Sequence, residues 1–109
     1  MNQNETEFSH SREALERLQE MQIYLMNTLN QALPTGYLIF NLKIVSLCCL
    51  TGTIKRRGVE RNFSFPSMLD MPWGDCRELM KDYILRLFLQ LEEEYLRMCI
   101  NGYEEDNRR

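Results

Sequence analysis

The chain has 109 residues, 27% of them charged and 44% hydrophobic, with a net charge of −3, the balance of one ordinary globular domain. No stretch reaches the ~20 apolar residues a membrane span needs, and the nearest candidate, "YLIFNLKIVSLCCL", is broken by Asn41 and Lys43. The start "MNQNETEF" is polar and acidic, unlike a signal peptide, so a cytosolic or nuclear location without membrane contact is expected.

Residues 1–10 are expected to form a flexible terminus, followed by a single domain over 11–101 and a charged flexible tail over 102–109. Ser9 or Ser11 can cap a first helix, its hydroxyl accepting from free amide groups. From there Leu15, Leu18, Leu25, Leu29 and Leu33 recur at helical steps, which predicts a helix over 11–33. "LPTG" ends it, because Pro34 disfavours helical geometry at Leu33.

The period then changes to two. Leu38, Phe40, Leu42, Ile44, Cys48 and Leu50 alternate with outward positions, a β-strand pattern rich in branched and aromatic residues. One unbroken strand from 37 to 57 would be ~65 Å long, far beyond a domain this size. A bend or turn is therefore expected, and "TGT" at 51–53 is the place predicted for it.

"TIKRRGVERNFSFP" follows, the one basic stretch of an acidic chain. Residues 55–61 hold four basic groups against one acidic, net +3, whereas residues 1–54 and 62–109 are net −2 and −4. With Arg57-Gly58 as a two-residue turn, Lys55 faces Glu60, Ile54 faces Arg61, Gly52 faces Phe63 and Leu50 faces Phe65. Opposite charges then meet on one face and phenylalanines cover apolar positions or a glycine on the other, so a hairpin is predicted. Lys55, Arg56, Arg57 and Arg61 could serve as a solvated turn, as a contact for an acidic protein, or as a grip on a few phosphates. No stacking aromatic lies within the cluster to favour nucleic acid.

"PSMLDMPWGD" is an irregular link, and Asp75 with Glu78 three residues on resembles an aspartate capping box. A long helix is predicted from there to Asn101-Gly102. The predicted class is α+β: an N-terminal helix, a small antiparallel meander of two or three strands, and a long C-terminal helix, with both helices on one face of the sheet.

Little in the sequence suggests chemistry. Cys48 and Cys49 are adjacent while Cys76 and Cys99 stand apart, so there is no zinc spacing, and free packed thiols are expected. His10 is the only histidine and has no evident supporting groups. Cys76 would sit at a helix start that favours a thiolate, but Asp75 beside it opposes the effect. No metal, cofactor or catalytic residue is predicted.

The last helix carries the strongest signal. Met80, Tyr83, Ile84, Leu87, Phe88, Leu91, Tyr95, Met98 and Cys99 fill one arc, while Leu85, Leu89, Leu96 and Ile100 form a second apolar line. One arc covers a small sheet, and the second needs another surface. The sequence therefore suggests a non-enzymatic interaction module of the adaptor, assembly-factor or inhibitor kind. It is expected to form a homodimer through Leu85, Leu89, Leu96 and Ile100 and to reach a protein partner with the basic hairpin and Trp73. The alternative is a nucleic-acid-binding accessory protein using the Lys55–Arg61 hairpin.

Overall fold

A computed structural model describes the backbone of residues 3–107 and the side-chain surroundings of residues 11–101. The predicted α+β class is observed. Helix α1 (Gln3–Tyr24) runs into a π-helical turn (Leu25–Leu29) and a short α2 (Asn30–Ala32). Strands β1 (Tyr37–Val45), β2 (Cys49–Arg56) and β3 (Val59–Pro66) form one antiparallel sheet in the order β1-β2-β3, and α3 (Trp73–Asn107) closes the chain. The meander has three strands, the upper of the two numbers predicted.

Three leucines of the first helix's stripe are buried as its spacing requires, while Leu15 and Leu33 at its ends are half-buried. Leu18, Met21 and Leu25 are fully enclosed and Leu29 nearly so. Helical geometry begins at Gln3, which places Ser11 inside the helix rather than at its cap, while Ser9 and His10 lie outside the described side chains. The wider π turn keeps both Leu25 and Leu29 on the core side. Asn30 follows, and its Oδ1 accepts from the Ile39 amide at 2.9 Å. Gln22 donates to the Leu42 carbonyl, so polar side chains of this helix occupy two positions on the free edge of β1. The helix ends at Leu33, which is extended as expected of a residue before proline.

The β2–β3 hairpin has the register deduced from its turn. Lys55 pairs with Glu60, Ile54 with Arg61, Gly52 with Phe63 and Leu50 with Phe65. Arg57 and Gly58 both take positive φ, 36° and 85°, the combination a tight hairpin needs. The β1–β2 connection differs from expectation. "TGT" lies inside β2, and the chain instead reverses at Ser46 to Cys48, where Ser46 and Leu47 adopt left-handed geometry and the Cys48 amide donates to the Val45 carbonyl.

The simple alternation over residues 38–50 is also corrected. Tyr37 and Ile39 face the helices, whereas Leu38 is 40% exposed. Between Phe40 and Lys43 the register slips, with Asn41 and Leu42 opposite Gly52 alone and Asn41 at φ 58°. This bulge inserts one residue and reverses the parity, returning Leu42 and Ile44 to the helix side.

Both ends of α3 differ from the sequence reading. The helix starts at Trp73, and the Cys76 amide donates to the Pro72 carbonyl, so Asp75 is a first-turn acid near the positive end of the dipole rather than the cap. It continues past Gly102 to Asn107, because neighbouring helical residues carry a single glycine at a cost of only ~1 kcal/mol. Met80, Ile84, Leu87 and Leu91 close the core over β2 and β3, beside the first helix.

Candidate functional site

The basic cluster is divided by the hairpin that carries it. Alternation puts Lys55 on the open face of the sheet, its ammonium 5.0 Å from the centre of the Phe40 ring. Arg56 and Arg61 lie on the helix side. The Arg56 guanidinium sits between two rings, 4.8 Å from Tyr37 and 4.3 Å from Tyr95, with Nε 3.4 Å from Glu92. Arg61 pairs with Glu94, and Arg57 at the tip donates to the Tyr95 hydroxyl at 3.3 Å. Three arginines therefore clasp α3 through Glu92, Glu94 and Tyr95, and the local excess of positive charge meets carboxylates of the same chain.

Tyr37 completes this clasp by donating to Glu92 and packing against Phe88 with ring centres 4.6 Å apart. Burial, together with the hydrogen bond to Glu92 and its charge, pushes the Tyr37 hydroxyl up to about 12, against the opposing pull of Arg56. The arrangement orients and neutralises the charged groups. It joins the hairpin tip to a helix more than thirty residues away in sequence.

Trp73 begins α3 half-buried. Its ring meets Tyr24 edge-on at 6.0 Å, and the Arg17 guanidinium lies 5.8 Å from its centre. Arg17 also donates to the carbonyls of Met68 and Met71, fastening the link to the first helix. Cys76 is fully buried in the core, and burial pushes its thiol up despite the lowering influence of Arg17. A raised, enclosed thiol is a poor nucleophile. Among the described residues no group of three or more potential metal ligands converges on one point, and no helix is long and apolar enough to cross a membrane.

The second apolar line of α3 lies on the outside of the molecule. Leu85 is 45% exposed, Leu89 63%, Leu96 51% and Ile100 57%. Geometry accounts for this. The 35 residues of α3 extend ~52 Å, about twice the ~27 Å length of an eight-residue strand. Beyond Tyr95 no sheet lies beneath the helix, and Leu96 to Asn101 are all exposed. Met98 and Cys99, which the sequence assigns to the core arc, belong to this overhang, with Met98 52% exposed. Tyr83 at the margin of the arc is also partly exposed, its ring edge-on to Phe65 at 5.2 Å.

The fold and surface define a two-layer α+β domain in which an apolar side of α3 is exposed. No protein-family model matches the chain, and neither curated proteins nor solved structures give a match.

Proposed function

We propose that this protein is a non-enzymatic interaction module that forms a homodimer through the outward face of α3. The observation carrying this reading is the exposure of Leu85, Leu89, Leu96 and Ile100 along one side of an ordered helix. Exposed contiguous apolar surface marks interaction sites. The overhanging turns strengthen the case, since they carry apolar residues and have no body of their own to lie on.

The role of the basic hairpin is narrowed. Arg56 and Arg61 are engaged by Glu92 and Glu94, which leaves Lys55 and Arg57 as the cations available to an acidic protein partner. The same pairing reduces the charge on which nucleic-acid binding would depend. Trp73 supports the fold through Tyr24 and Arg17, with its remaining surface open to a partner.

Sedimentation tests the dimer. The wild-type chain is expected at twice the chain mass, and Leu89→Glu at the chain mass with an unchanged circular-dichroism spectrum. Equal masses for the two, whether single or double, would remove this helix face as the contact. Affinity capture with Leu89→Glu and Arg57→Glu as bait tests the further partner, since loss with one variant alone identifies the surface it uses.

A further inference from the structure

We infer that the two copies pair α3 against α3 in antiparallel fashion, with the two-fold axis passing beside Leu89. This rests on the dimer proposed above and adds its orientation and register. The argument comes from the charges flanking the apolar line. Asp82, Arg86, Glu93 and Arg97 fall within about 60° of one another around the helix, all on the same side of the leucines. Along the chain their signs run minus, plus, minus, plus.

Reversal makes these four residues self-complementary. The midpoint between Asp82 and Arg97 coincides with that between Arg86 and Glu93, at the junction of residues 89 and 90. An antiparallel copy centred there sets Arg86 against Glu93 and Asp82 against Arg97, and symmetry repeats both contacts. A two-fold interface uses one patch twice, so a pattern that pairs with its own reverse is the one such an interface requires. Asp82 and Arg86 belong to none of the ion pairs found among the described residues, and Arg97 pairs only with Glu93 one turn before it.

The apolar line runs one to two residues out of step with this centre. Leu89, with the greatest exposure of the four, lies opposite Gln90 and one residue from its own counterpart, and Leu96 lies opposite Tyr83, two residues from Leu85. The register also answers the overhang. Leu96 and the turns after it come to lie along residues 79–85 of the partner, the half of α3 that is backed by a sheet. A parallel pair would instead place two overhangs together and set the alternating flank against the opposite one, where Phe88 and Glu92 are already turned toward Tyr37. Centring the antiparallel pair between residues 92 and 93 would match all four aliphatic residues but bring Glu93 against Glu92 of the other copy, twice by symmetry, and leave Arg86 and Arg97 opposite Cys99 and Phe88. Such like-charge contacts disfavour that register.

Site-specific linking separates the register from the dimer itself. In full-length protein with Cys48, Cys49 and Cys99 replaced by serine, Leu89→Cys is expected to give a covalent dimer on mild oxidation. Leu85→Cys and Leu96→Cys are expected to link when the two variants are mixed but weakly when alone. Arg86→Glu should weaken association about tenfold or more, and Arg86→Glu with Glu93→Arg should restore it. A protein that sediments as a dimer but links through Glu93→Cys and not Leu89→Cys keeps the dimer and overturns this register. Failure of the double reversal to recover what the single one loses overturns the charge pairing. A monomeric parent chain overturns both the register and the reading it rests on.

Discussion

The two faces of α3 are built from nearly the same side chains and meet opposite surroundings. Met80, Ile84 and Leu91 are at most 1% exposed, whereas Leu85 and Leu89, about 100–180° round the same axis, are 45% and 63% exposed. Composition therefore does not separate a core face from a docking face. The sheet does, because three strands spaced ~4.8 Å apart support only one side of a helix, and α1 already covers β1. What the sheet cannot reach stays exposed.

The largest expected effect tests that contrast directly. Leu91→Ala removes a fully buried side chain and is expected to lower unfolding stability by about 2–5 kcal/mol. Leu89→Ala, measured by urea denaturation of the diluted monomer, should stay within about 0.5 kcal/mol of wild type. Equal losses in the two variants would show that the outward leucine is held inside one chain, and the distinction between the faces would fail.

A second test lies beneath the inward face. A β-carbon at Gly52 would stand 2.6 Å from Phe63 Cζ and 2.7 Å from Leu42 Cδ2, and Phe63 is 3% exposed and cannot swing aside. Gly52→Ala is expected to cost about 1–3 kcal/mol through overpacking, with part of the loss recovered when Phe63→Leu is added. This contact was legible before any coordinates. The Arg57-Gly58 turn determines the register of β2 on β3, and that register alone sets Phe63 over Gly52.

Other parts of the fold were not legible, for reasons that can be named. Ser46 and Leu47 adopt positive φ with no glycine or asparagine to signal it, so the first hairpin turn was misplaced. The bulge at Asn41 reverses the parity on which the strand pattern depends. The outward line of α3 was readable because it is local and periodic. The clasp was not, since nothing in a single sequence reports that Arg56 meets Glu92 and Arg61 meets Glu94. A cationic cluster read by itself suggests a grip on something outside, whereas Arg56 and Arg61 also meet carboxylates of their own chain.

The clasp holds the last supported turn of α3, where apolar burial gives way to ion pairing, and its stacked geometry can be tested by a small change. Arg56→Lys keeps the charge but loses the flat guanidinium between Tyr37 and Tyr95. The expected loss is about 1 kcal/mol in thermal or urea unfolding. Full retention of stability would mean that charge alone joins the hairpin to the helix.

The effect most specific to this end of the inward face concerns the Tyr37 hydroxyl. Its ordinary value is 10.0, and burial with the hydrogen bond to Glu92 raises it to about 12 in the folded chain. The folded state therefore holds this proton more tightly than the unfolded one. The associated stability is complete below pH 10.0 and is lost as the pH rises from there through about 12. Tyr37→Phe should cost about 0.5–1.5 kcal/mol at neutral pH, the worth of one hydrogen bond. The difference between variant and wild type should then shrink above pH 10, because phenylalanine has no proton to lose. Parallel unfolding curves for the two proteins across that alkaline range would place the hydroxyl in water, and the inward face would then end at Leu91 instead of extending to Glu92.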